Sequence, residues 1–220
     1  VASQPSCLAS LGLHPWFIAQ HRPEDLHQLE SLLMASKPNK TIALGELGLD
    51  FSTPELTSLA SQQEEYFLAQ GALARRLSLP LVLHHHQSLE RILQLLKQAN
   101  FSHGGLVHGF SGSDQQANEF LRLGFKLGVG LNLLFSRASR LQRQVASLPL
   151  TSWLLETDSP SLKAHPALSS TEKPVVSTPA HLQLVAEKFS QLTGLSRAEI
   201  EKQTLANFLA AFPLAKAFFS

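Results

Sequence analysis

Short apolar runs alternate along this chain with longer stretches that carry apolar residues at helical spacing. The runs cover residues 8–13, 41–44, 79–83, 105–107, 125–134 and 153–155. Each is brief and rich in Leu, Val, Ile or Ala, the pattern of a strand buried on both faces. The intervening stretches predict helices. Pro23 suits the first turn of a helix running to about Ala35. Ser61 with Glu64 reads as a capping box opening a helix over 62–77. In 88–99, Leu89, Ile92, Leu93 and Leu96 share the stripe that a helix packed on a sheet requires. Ser113 with Gln116 opens another helix through Leu123, which Gly124 is placed to stop.

Alternation of this kind predicts an α/β fold of parallel strands joined by crossover helices, either a TIM-type (β/α) barrel or a doubly wound sheet. After the last run, residues 158–176 are rich in Pro and Ser and read as a long loop. Two helices follow. The first covers 179–193, with Thr178 as cap and Gly194 as stop; the second covers 197–212, with Ser196 and Glu199 as a capping box. No linker separates two units, so residues 1–220 read as one domain.

Five of the six runs lead into a polar residue of a kind seldom left on a buried strand. Leu13 leads into His14-Pro15, Gly45 into Glu46, and Leu83 into His84-His85-His86. Val107 leads into His108-Gly109, and Leu155 into Glu156-Thr157-Asp158. Parallel strands gather their C-terminal ends at one mouth, where barrel enzymes keep their chemistry. Imidazoles and carboxylates there form a mixed N/O pocket suited to Zn²⁺, Mn²⁺ or Mg²⁺. An ionised carboxylate at the end of an apolar strand is costly unless it is paired or bound to a cation. Glu46 and Asp158 therefore join His84 and His108 as candidate metal ligands. Strand side chains alternate faces, so His86 shares the face of His84 while His85 turns away. Asp50 and Glu156 read as loop and supporting residues.

Charge excludes little. Eighteen basic and 17 acidic side chains give a net charge of +1. That balance provides no broad footprint for tight nucleic-acid or membrane binding, although a cleft can still grip a nucleic acid locally. The single cysteine, Cys7, rules out an internal disulfide and fits a reducing compartment, so a cytoplasmic monomer is expected. No apolar stretch approaches the ~20 residues of a membrane span, so no membrane partner is expected.

The ordered set Gly12-Leu13-His14-Pro15, Gly45-Glu46-Leu47-Gly48-Leu49-Asp50, Leu83-His84, Val107-His108-Gly109-Phe110-Ser111-Gly112 and Glu156-Thr157-Asp158-Ser159-Pro160 resembles the motifs of the TatD-type metal-dependent hydrolases, a deoxyribonuclease family. The resemblance extends to Asn207 and covers nearly the whole chain. It implies a barrel with up to two divalent ions, Zn, Mg or Mn. Glu46 would bridge both ions, His84 and His108 would complete one, and Asp158 would hold the other. The implied reaction is hydrolysis of DNA phosphodiesters in the 3′-to-5′ direction, with Glu46 and Asp158 as catalytic residues. Asp158 would take the proton from an activated water. His14 is the implied contact to substrate phosphate, and His86 stands where members often carry a basic side chain that grips substrate. Members usually open with a strand bearing His-x-His, and none precedes His14. Six strands where a closed barrel has eight imply that about two strand–helix units lie ahead of Val1, as in a fragment. Gln87 and Val176-Ser177-Thr178-Pro179 also depart from the family pattern, in the substrate-gripping region. Two other readings stand beside this one: a hydrolase of esters, lactones or aminoacyl esters using the same metal site, and a degenerate barrel serving as a binding scaffold.

Overall fold

The structure, a computed structural model, describes residues 7–35, 40–160 and 176–219. Six strands form one sheet: β1 (Ala9–Leu11), β2 (Thr41–Asp50), β3 (Leu81–His86), β4 (Gly105–Val107), β5 (Phe125–Val129) and β6 (Trp153–Leu155). They stand in sequence order, and every neighbouring pair is parallel. Around them run α1 (Pro23–Ala35), α2 (Pro54–Ser58), α3 (Ala60–Leu77), α4 (Leu89–Gln98), α5 (Asp114–Arg122), α6 (Ser139–Ser147), α7 (Leu182–Thr193) and α8 (Arg197–Ala211). Consecutive parallel strands with helices between them form the wall of a TIM-type barrel, and all their C-terminal ends reach one rim.

Alternation along the strands separates two apolar regions. Leu81, Leu83, Val107, Leu127 and Trp153 pack with Phe67 of α3, Ile92 of α4, Phe120 of α5 and Phe189 of α7. Val82, Leu106 and Leu154 take the other face, with Ile42 of β2, Phe208 and Ala211 of α8, and Phe212 and Ala215 just beyond. Both faces of the strands are thus apolar along their length, which leaves the rim for polar residues. Asn207 ties α8 to the start of β6. Its buried amide donates to the carbonyls of Leu150 at 2.9 Å and Trp153 at 2.8 Å.

Several expected boundaries shift. α3 does not open on a Ser61–Glu64 capping box: Thr53 caps the unforeseen α2, α3 follows from Leu59 without a side-chain cap, and Ser61 already lies inside the helix. Glu64 instead takes two hydrogen bonds of 2.6 Å from Arg91. The run 125–134 is strand only as far as Val129. Leu131–Leu134 forms a 3₁₀ turn that buries Leu131 and Leu133, so those positions are apolar because they enter the core. Pro179–His181 is likewise a 3₁₀ turn leading into α7, which Gly194 ends in the left-handed conformation, φ +72°. The capping boxes of Ser113–Gln116 and Ser196–Glu199 both form. Of the long loop expected over 158–176, residues 161–175 lie outside those described. Among the described residues no helix is long and apolar enough to cross a membrane.

Candidate metal centre

Glu46 reaches the rim through an irregularity in β2. Leu44 pairs with Leu81, Gly45 with Val82 and Leu47 with Leu83, so Glu46 is the extra residue of a bulge, a device that re-aims a side chain. Gly45 makes the bulge feasible. Its φ is +149°, and a Cβ there would lie 2.5 Å from the Val82 carbonyl oxygen. β2 then continues to Asp50, which is only 1% exposed. His84 sits near the end of β3. β4 leads directly into His108, whose N–H donates to the Leu83 carbonyl at 2.9 Å. β6 leads into Glu156 and then Asp158, which has φ +51°, a conformation Asp tolerates better than most residues.

These elements enclose a cavity of about 410 Å³ lined by His14, Trp16, Glu46, His84, His108 and Asp158, among others. Among the described residues, His14, Glu46 and His84 place one potential ligand atom each within 4.8 Å of one another. His108 Nε2 stands 3.7 Å from Glu46 Oε1 and 3.4 Å from Asp158 Oδ1. Glu46 Oε2 lies 3.7 Å from His14 Nε2. The five residues expected to meet at the mouth do meet there.

Hydrogen bonding sorts the histidines by role. His84 Nε2 lies 2.7 Å from Asp50 Oδ2. A carboxylate only accepts, so that nitrogen carries the proton, which in the neutral ring leaves the lone pair on Nδ1. His108 Nδ1 donates to Glu156 Oε2 at 2.8 Å, which in the neutral ring leaves the lone pair on Nε2, facing Glu46 and Asp158. A carboxylate behind each ring is the arrangement that holds metal-ligating histidines. His14 is different. Its Nδ1 accepts the Trp16 backbone N–H at 3.1 Å, so Nε2 carries the proton and is a donor rather than a ligand. Burial, then the neighbouring His84, lowers the His14 pKa to about 4, so the ring is neutral at pH 7.

The carboxylates fit a bound cation. Burial raises the pKa of Glu46, with Asp158 and Glu156 adding to the rise against His108 and His84. Its Oε1 is buried and has no hydrogen-bond partner among the described residues. Burial alone would lower the His108 pKa. Hydrogen bonds to Asp158 and Glu156, then the charges of Glu156 and Glu46, push it up to about 11. A proton on Nε2 thus occupies the place where a cation would satisfy the same acidic groups. Burial would also raise Asp50, but hydrogen bonds from Ser52, His84 and Trp16 hold its carboxyl at about 2.

His85, expected to turn away from the mouth, lines both this cavity and the one beside it, with Nε2 buried and without a hydrogen-bond partner among the described residues. Burial, then His84 and His108, lowers its pKa to about 4. His86 is exposed and lines the edge of the cavity and of the one beside it. Trp16 was missed altogether, although a Trp directly after a strand-end His-Pro is the signal that could have found it. Asp50 and Glu156 support His84 and His108 from behind, as their placement in the sequence implied.

Fold and rim together define a (β/α) barrel with a candidate metal centre built from strand ends. The chain belongs to the TatD related DNase family, whose profile matches residues 1–213. It is 40% identical over 157 residues to the uncharacterized metal-dependent hydrolase YjjV of Escherichia coli (strain K12), a stretch covering 70% of this chain and 58% of that relative. It is 33% identical over 216 residues to deoxyribonuclease TATDN3 of Homo sapiens, covering 94% of this chain and 74% of the relative. The crystal structure of the TatD homolog YJJV from Escherichia coli K12 superposes with a TM-score of 0.87 at 33% identity, covering 96% of this chain and 79% of that one. The aligned stretch thus spans well under two thirds of the first relative's length.

Proposed function

We propose that this chain is a divalent-metal-dependent phosphodiesterase that trims DNA from the 3′ end. The observation that carries this reading is the convergence of strand-end groups in one cavity: His108 Nε2 stands 3.7 Å from Glu46 Oε1 and 3.4 Å from Asp158 Oδ1, and a carboxylate, Asp50 or Glu156, is hydrogen-bonded behind each of His84 and His108. Membership in a family of DNases and metal-dependent hydrolases supports it, as does the deoxyribonuclease named for the human relative. Glu46, His84, His108 and Asp158 hold one or two ions of Mg²⁺, Mn²⁺ or Zn²⁺. The bound metal supplies Lewis acidity and lowers the pKa of water toward neutrality. Asp158, whose side chain at 37% is the most exposed of the four, would accept the proton of the attacking water. The neutral His14 donates its Nε2–H to a phosphate oxygen, a contact that needs no titration near pH 7. His86, at the rim, contacts the substrate strand further out. A scaffold without turnover fits poorly, because gathering Glu46 and Asp158 around His108 in one half-buried cavity is costly and has no use there.

The test is incubation of purified protein with labelled single-stranded DNA, an aryl phosphodiester and a panel of esters and lactones, with Mg²⁺, Mn²⁺ or EDTA. Metal-dependent shortening from the 3′ end is expected. Turnover of the esters alone, or DNA shortening that persists in EDTA, overturns the reading.

A further inference from the structure

One wall of the cavity offers no ligand to the metal centre. Trp16 lines it and keeps 55% of its surface exposed, and Phe17 beside it keeps 51%. The indole is nevertheless fixed. Its Nε1 donates to Asp50 Oδ2 at 2.6 Å, and the ring meets His14 and His84 edge to face, with centroids 5.0 Å and 5.7 Å away. Pro15 and the 3₁₀ turn Pro15–Gln20 hold the backbone beneath it. The chain's other tryptophan, Trp153, is 0% exposed. A rigid apolar face is therefore kept open to solvent within one ring's width of the two imidazoles.

Resting on the phosphodiesterase reading above, we propose that Trp16, flanked by Phe17, is the stacking platform for the nucleobase next to the phosphate being cut. A net charge of +1 provides no long-range grip on a nucleic acid, so affinity for a strand end has to come from local contacts. Stacking on an aromatic face is such a contact, and it tolerates any sequence because every base presents a π-face. A ring already immobilised by Asp50 loses little freedom when a base settles on it.

The experiment compares a short phosphorothioate oligothymidylate, which resists hydrolysis, with an abasic strand of equal length and charge, each binding the metal-loaded protein. Trp153 is buried, so a change in tryptophan fluorescence reports Trp16. The base-bearing strand is expected to quench it and to bind about 5- to 150-fold more tightly per stacked base than the abasic one. By fluorescence anisotropy of labelled strands, Trp16→Ala should lose that preference. Trp16→Phe, which keeps a ring but not the bond to Asp50, should retain most of it. Equal binding of the two strands by the unaltered protein, or an undiminished preference in Trp16→Ala, overturns the platform while leaving DNA hydrolysis standing. If neither strand binds and no DNA is cut, the phosphodiesterase reading falls with it. The comparison on the unaltered protein decides the matter even if a variant does not fold.

Discussion

Replacing Gly128 with alanine perturbs the proposed centre from behind, without touching any candidate ligand. Gly128 lies on β5 beneath Glu156, and a Cβ there would stand 2.7 Å from Oε2, 2.8 Å from Cδ and 2.9 Å from Oε1 of that side chain. Its φ is not among the positive values, so the strain falls on the carboxylate and not on the main chain. Glu156 has to move, and the bonds it accepts from His108 Nδ1 at 2.8 Å and the Gly109 N–H at 2.6 Å are weakened or lost. A hydrogen bond to a charged group is worth about 1.5–3 kcal/mol, which corresponds to roughly ten- to hundredfold in an equilibrium constant. That range matches the usual loss when the outer partner of a metal-bound histidine is removed. Calorimetric titration of metal-free protein with Mn²⁺ should therefore show Kd raised roughly ten- to hundredfold in Gly128→Ala and in Glu156→Ala. The double variant should fall short of the sum, because both changes act through one contact. Unaltered Mn²⁺ affinity in both single variants would refute the assignment of Glu156 as the group that positions His108.

Four further outcomes follow. His84→Ala and Glu46→Ala should each lower kcat/KM on DNA by about a thousandfold or more while leaving the thermal transition cooperative, and substantial residual turnover would contradict their roles. Because burial raises the Glu46 pKa, metal-free Glu46→Gln should be at least as stable as the parent; a clear fall in Tm would show that Glu46 has a structural partner. Asp50 is held at about 2 in the folded protein against ~3.9 unfolded, so its contribution is complete above about pH 4 and is lost as pH falls toward 2. Asp50→Asn should flatten that acid limb in urea titrations across pH, and an unchanged limb would sink the argument. Asn207→Ala strands the Leu150 and Trp153 carbonyls and should cost about 1–3 kcal/mol, read as a Tm drop of roughly 2–4 °C for each kcal/mol.

The sequence carried the strands and the rim residues because both are local signals, a run of apolar residues and then a polar one; the order of the strands is not local, and the pattern left a barrel and a doubly wound sheet open. Glu46, His84, His108 and Asp158 were legible for that reason, and so was Glu156 one position beyond β6. The bulge at Glu46 was not, since it is a matter of register between β2 and β3 that shows only when Gly45 meets Val82. The start of α3 was misplaced because Ser-x-x-Glu is a common spacing, and the preceding α2 had already set the helical path. Trp16 has no periodicity to reveal it, and its only local mark is its place directly after the strand-end His14-Pro15. Its role depends on the distant Asp50 and His84, each 34 residues or more away in the chain.

Anomalous diffraction from crystals soaked in Mn²⁺ or Zn²⁺ addresses the metal centre itself. A peak is expected between the strand ends, with His84 Nδ1, His108 Nε2 and oxygens of Glu46 and Asp158 at about 2.0–2.2 Å. A cavity that stays free of anomalous signal at saturating metal, or an ion seated on other residues, would contradict it.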